Sequence, residues 1–169
     1  MYQYAIALGS NRRHHRYGSP SATLRAATTY LARNSLRVTA RSPIIASVPV
    51  GPSIRTYANA AVTIDTDLSP EELLDLLKGI ERTFGRRRGQ RWSTRTLDLD
   101  IILWSGGCYT GPNPTIPHPL FRQRIFVLRP LRTVAPDWID PVTRKTVRQL
   151  FAQAAKRRPK TVDRAATPD

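Results

Sequence analysis

The chain has 169 residues and a single cysteine, Cys108, enough for about one domain that buries roughly two thirds of its unfolded surface without covalent staples. A lone thiol excludes an internal disulfide scaffold and fits a reducing compartment. No apolar run approaches the ~20 residues of a bilayer span, and the start Met-Tyr-Gln-Tyr lacks the layout of a signal peptide, so a cytoplasmic protein is expected. The net charge is +15, and eight Arg but no Asp or Glu precede Asp65; a nucleotide, a nucleic acid or an acidic membrane surface would answer that charge, and a general bias toward Arg would produce part of it with no function.

Tyr4-Ala-Ile-Ala-Leu8, ended by Gly9-Ser10-Asn11, predicts a buried strand that delivers a polar loop. Leu24, Ala27 and Leu31 recur at helical spacing between Ser19-Pro20 and Asn34-Ser35, which predicts a first helix over 21–31. Two β-branched stretches, 36–48 and 57–66, follow as strands, separated by Pro49-Val-Gly-Pro52, which breaks any ladder. Ser69-Pro-Glu-Glu72 is a capping box with proline at the first helical position. The helix behind it carries the stripe Leu73, Leu74, Leu77, Ile80 and Phe84 and ends near Gly85, with Lys78 and Glu81 close to the next segment. After an Arg-rich loop, 97–104 alternates apolar and acidic residues as a strand does. Residues 106–114 are expected as loop, 121–134 as a helix broken by Pro130, and the segment from Pro141 as a final strand or helix. The basic run Lys156-Arg-Arg-Pro-Lys160 begins a tail, 156–169, expected to be disordered, which leaves one domain over 1–155. The order strand, helix, strand, strand, helix, strand is that of a ferredoxin-like split β-α-β unit, an α+β fold with no internal repeat.

Side chains alternate along a strand, so Asp98 and Asp100 share one face and Leu97, Leu99 and Ile101 the other. Paired carboxylates repel, which raises a pKa or invites a hard divalent cation; Mg²⁺ takes one or two carboxylates together with substrate phosphates. Two salt-bridged surface aspartates are the plain alternative. Arg86, Arg87, Arg88, Arg91 and Arg95 enter the same strand, and guanidinium forks suit polyphosphate, although a solvated basic loop or an RNA contact gives the same composition. Trp92 could stack on a base, and His118, between Pro117 and Pro119, has a backbone restrained on both sides. His14 and His15 sit in an Arg-rich loop and are expected to be solvated.

Taken together, several segments resemble the 6-hydroxymethyl-7,8-dihydropterin pyrophosphokinase family in order and spacing over about residues 4 to 135. They are Ala5-Ile-Ala-Leu-Gly-Ser-Asn11, Tyr57-Ala-Asn-Ala-Ala-Val62, Leu68-Ser-Pro-Glu-Glu-Leu-Leu74, Ile80-Glu81 with Gly85-Arg86, Arg91-Trp92 with Arg95-Thr-Leu-Asp-Leu-Asp-Ile101, and Thr115-Ile-Pro-His118 with 124–131. The resemblance implies a ferredoxin-like α+β core with an antiparallel sheet between two helical layers, a monomer, and transfer of diphosphate from ATP to the pterin with release of AMP, in folate biosynthesis. It implies two Mg²⁺ bridged by Asp98 and Asp100, with Arg86 and Arg95 as catalytic phosphate-holding arginines. Leu74, Lys78, Arg88, Arg91, Trp92, Ile101, Thr115, His118 and Arg124 fall where the family binds nucleotide. Tyr57 and Phe126 match the aromatic pair around the pterin and Asn59 the group that reads its edge, with backbone groups of Ser47 and Val50 completing the pocket. Where the family carries Tyr and then Thr-Pro, the chain reads Ile45-Ala-Ser-Val-Pro-Val-Gly51, so backbone groups are expected to hold the pterin there. The partners implied are small molecules, with neither membrane nor nucleic acid. The competing reading is a divergent paralogue that keeps the fold and binds nucleic acid through its charge, without kinase activity.

Overall fold

Alternation in the first strand divides its side chains between two cores. Tyr4, Ile6 and Leu8 of β1 (Tyr2–Ser10) project to one face of the sheet, and Ala5 and Ala7 to the other. A computed structural model provides the coordinates and describes residues 1–34, 36–47, 57–85 and 96–157, the Ser47 side chain excepted. The element order continues with α1 (Pro20–Arg33), β2 (Arg37–Arg41), β3 (Ile45–Ser47), β4 (Tyr57–Thr66), α2 (Pro70–Thr83), β5 (Asp98–Trp104), β6 (Tyr109–Thr110), β7 (Thr115–Ile116), α3 (Ile125–Val134) and α4 (Val147–Lys156).

The main sheet runs β2-β4-β1-β5 with β3 also on β4, all antiparallel. This is the split β-α-β order expected, with the second strand of that unit in two pieces. The 36–48 stretch divides at Ser42-Pro43-Ile44. There the Ser42 amide bonds the Ala61 carbonyl and the Ser42 Oγ accepts the Ala61 amide at 2.9 Å, so the chain stays on β4 without continuing the ladder through Pro43.

Bulk separates the two faces. Beneath α1 and α2 lie Tyr4, Ile6, Leu8, Val62, Ile64, Leu99 and Ile101 with Leu24, Leu31, Leu73, Leu77 and Phe84. Beneath α3 and α4 the central strands contribute Ala5, Ala7 and Ala61 and β5 adds Ile102 and Leu103, with the remaining volume from Phe121, Leu128, Leu131, Val147 and Leu150. Each fully buried Leu or Phe is worth about 1.5–3 kcal/mol; the small residues let α3 lie close over β4 and β1. The layers are thus α/β/α.

Both capping boxes form: Ser69 with Glu72 at α2, as its sequence predicts, and Thr146 with Gln149 at α4. Gly85, just past α2, has φ +91, which a side chain would strain. α3 departs from expectation. Pro130 sits inside it without breaking it; the bond lost is one to the carbonyl of Phe126, whose residue lies on the exposed side where water can replace it. The expected loop over 106–114 holds a two-residue strand, β6, paired with β7. The end expected as strand or helix is α4, and the tail from residue 158 lies outside the described residues.

Candidate active site

The carboxylates of Asp98 and Asp100 leave β5 on the face opposite Leu99 and Ile101, which are buried under α1 and α2. Their register partners on β1 are Gly9 and Ala7, and β4 adds Asn59, opposite Gly9. A Cβ at Gly9 would come within 3.8 Å of Asn59 Oδ1, and a longer side chain would cover it. Small residues therefore floor a trough with carboxylates on one side and the buried amide of Asn59 on the other.

Burial foremost, and then the charge of Asp98, push the Asp100 carboxyl above the ordinary carboxylate range; His118, Lys78 and Arg124 pull it back. This strand therefore holds two like charges closer than either would choose. Among the described residues no group of three or more His, Cys, Asp or Glu side chains gathers as a metal cage. The donor set is two carboxylates, which fits a hard ion that completes its shell with water and phosphate oxygens.

His118 faces Asp100 from the segment after β7. Its amide donates to the Ile102 carbonyl at 3.1 Å, and its Nδ1 accepts the Leu120 amide at 3.2 Å, which leaves the proton of the neutral ring on Nε2. Burial lowers its pKa, Asp100 opposes that, and Arg124 adds to it. Arg124 caps α3 and its guanidinium carbon lies 6.0 Å from the centre of the Phe126 ring.

The outer edge of β5 is closed from α2. Glu81, with a fully buried side chain, accepts the Leu99 amide at 2.9 Å and the Lys78 ammonium at 2.7 Å, and Lys78 also reaches the Leu99 carbonyl at 3.5 Å. At the end of β1 the buried Ser10 hydroxyl donates to the Thr96 carbonyl at 2.6 Å, tying the entry of β5 to the sheet.

The residues singled out in the sequence distribute over both faces. Asp98, Asp100, Tyr57, Asn59 and Phe126 belong to the trough side, Tyr57 half-buried on β4 and Phe126 exposed in the first turn of α3. Ser47 pairs with Tyr57. Leu74 and Ile101 pack in the core beneath α2, and Thr115 is exposed on β7. Val50, Arg86, Arg88, Arg91, Trp92 and Arg95 lie outside the described residues. Sequence reasoning missed Ser10 and the role of Glu81. The available signal was an acid four residues after Leu77, on the apolar stripe of a helix, where a carboxylate needs a partner.

Comparison with known proteins agrees with this arrangement. The family model of 7,8-dihydro-6-hydroxymethylpterin-pyrophosphokinase matches residues 5–136. A 2-amino-4-hydroxy-6-hydroxymethyldihydropteridine pyrophosphokinase from Synechocystis is 48% identical over 103 residues, 61% of this chain and 53% of its own length. One from Methylorubrum extorquens is 37% identical over 150 residues, 88% of this chain and 90% of its own. In fold the chain is similar to wild-type Plasmodium falciparum HPPK-DHPS, with a TM-score of 0.71 at 14% identity over 92% of this chain and 45% of that one. The family match runs from β1 through α3 and takes in both carboxylates, His118 and the trough floor, and on that footing the chain belongs to the 7,8-dihydro-6-hydroxymethylpterin-pyrophosphokinase family.

Proposed function

We propose that the chain transfers diphosphate from ATP to 6-hydroxymethyl-7,8-dihydropterin, releasing AMP, as a Mg²⁺-dependent enzyme of folate biosynthesis. The observation that carries this is the pair Asp98 and Asp100, set side by side over a floor of small residues and faced by His118 and Arg124, within the stretch the family model matches. In the reaction the pterin hydroxyl oxygen bonds to the β-phosphorus, the bond from that phosphorus to the oxygen of the α-phosphate breaks, and the hydroxyl proton leaves. Magnesium, when bound, neutralises phosphate charge and lowers the pKa of an oxygen it touches.

The chain's own residues supply position and charge. Asp98 and Asp100 hold the metal, and Arg124 adds fixed positive charge at the trough. His118 offers Nε2–H to a phosphate oxygen, its Nδ1 being occupied by the Leu120 amide. Tyr57 on β4 and Phe126 in the first turn of α3 are the two rings that the family resemblance assigns to a flat pterin, with Asn59 reading its edge. Leu74 and Ile101 are on the other face of β5 from the carboxylates, and the family resemblance implies that they serve the nucleotide. As the family resemblance implies, Arg86 and Arg95 hold the phosphates, and Arg88, Arg91 and Trp92 bind the nucleotide.

The test is AMP release from ATP, Mg²⁺ and hydroxymethyl-dihydropterin by the purified chain. Asp98→Ala and Asp100→Ala should each lower kcat by ~10² or more, since groups that stabilise transition-state charge carry that much. Full turnover in both variants would sink the assignment. A nucleic-acid-binding role would show instead as salt-sensitive RNA or DNA affinity indifferent to Asp98.

A further inference from the structure

On the outer edge of β5 a buried carboxylate and an ammonium from α2 stand where a partner strand would pair. Leu99 is the residue between the two carboxylates, and its peptide amide and carbonyl point away from β1 to the strand's outer edge, where another strand would ordinarily satisfy them. They meet Glu81 and Lys78 of α2 instead, at 2.9 and 3.5 Å. The Glu81 side chain is fully buried, and the oxygen that accepts the Leu99 amide also accepts the Lys78 ammonium. A carboxylate removed from water is costly and is kept where its hydrogen bonds set a geometry. Leucine or methionine would fill the same place on the stripe beside Leu77 and Ile80 at less cost.

We infer that Glu81 is a positioning residue for the metal site: by binding the Leu99 amide it fixes the height and twist of β5 between Asp98 and Asp100, and so the spacing of the two carboxylates. Lys78 secures the Glu81 oxygen and the same peptide's carbonyl. The inference rests on the metal-dependent reading above. Partners that orient metal ligands without touching the metal typically change affinity or activity by ~10- to 100-fold when removed. Glu81→Ala should therefore weaken Mn²⁺ binding in the presence of a non-hydrolysable ATP analogue by ~10-fold or more, and lower kcat by a similar factor with the pterin KM little changed. Glu81→Gln keeps an oxygen facing the Leu99 amide and should restore most of both.

The experiment combines Mn²⁺ titration followed by electron paramagnetic resonance, steady-state kinetics, and amide exchange at Leu99 by NMR, for the full chain and its Ala and Gln variants. Leu150→Ala in α4, which loses fold stability but leaves both α2 bonds to the Leu99 peptide in place, is the control. Support requires weakened Mn²⁺ binding and faster Leu99 exchange in Glu81→Ala, rescue in Glu81→Gln, and unchanged Mn²⁺ affinity in the control. Wild-type Mn²⁺ affinity in Glu81→Ala, equal damage in the Gln variant, or equal weakening in Leu150→Ala would each overturn it. A parent chain that makes no AMP would refute the pterin reaction, while the Mn²⁺ and exchange measurements would still decide the role of Glu81.

Discussion

Asp140 and Asp100 are both acids in low-dielectric surroundings, and the fold treats them in opposite ways. Burial would raise the Asp140 carboxyl, but hydrogen bonds from Arg122, Thr143 and the Val142 amide outweigh it and hold its pKa below the ordinary value. A depressed carboxyl stabilises the fold above its unfolded pKa and ceases to do so as pH falls through the folded one. Asp140→Asn should thus be less stable than the parent by about 2 kcal/mol, less than for a fully buried pair because Arg122 still reaches water. That gap should stay level from about pH 8 to 5 and close below about pH 4, which urea unfolding across pH would show. Asp100 is the reverse case, with burial and Asp98 both opposing its charge. In chelator, Asp100→Asn should raise the melting temperature by about 2 °C or more, as expected of relieved repulsion in a domain this size, while turnover with Mg²⁺ falls ~10²-fold. Calorimetry beside the AMP assay would check both.

Helix α2 shows why local signals transfer well from sequence to structure. Its cap, its proline and its stripe are all decided within one turn or by one periodicity, and Ser69–Glu72 forms as written. Ser69→Ala should cost about 1 kcal/mol, read as a lower denaturant midpoint at unchanged slope. Elements decided at a distance were less legible. Nothing near Ser42 announces that its hydroxyl will take the Ala61 amide and split one expected strand into two. Pro130 reads as a breaker because its cost is local, whereas the burial of Leu128 and Leu131 that keeps α3 continuous comes from α4 and the sheet. The same holds for the site. Asp98 and Asp100 are a pair by strand alternation alone, but the bond from the Leu99 amide to Glu81 joins residues 18 apart and needs the docked helix. His14, expected in solvent, is buried instead: its ring stacks on His15, packs on Tyr17 and Phe84, and accepts two amides through Nδ1, a fit visible only once α2 ends beside that loop.

Across the whole molecule, bulk on one face of the sheet and small residues in the central strands on the other explain how one fold combines a rigid base with an open trough. Phe84, Leu73 and Ile6 fill the first core, and Ala7 and Gly9 leave room over the second. The net charge of +15 acts at the same scale. It should draw a polyphosphate toward the trough, so the KM for MgATP should rise several-fold between about 50 and 200 mM salt with kcat nearly constant, as screened steering predicts; a flat profile would assign the charge no such role. The sequence made that charge plain but not its neighbours, because which Arg reaches Asp65, Asp137 or Asp140 depends on the tertiary chain path. The border strand β5 has one more consequence. An uncovered strand invites a second copy to pair with it, the usual start of aggregation. Here Glu81, Lys78 and the His118 amide already occupy the outward groups of Leu99 and Ile102, so the arrangement that presents two carboxylates to a metal also withholds a docking template from neighbouring molecules in a crowded solution.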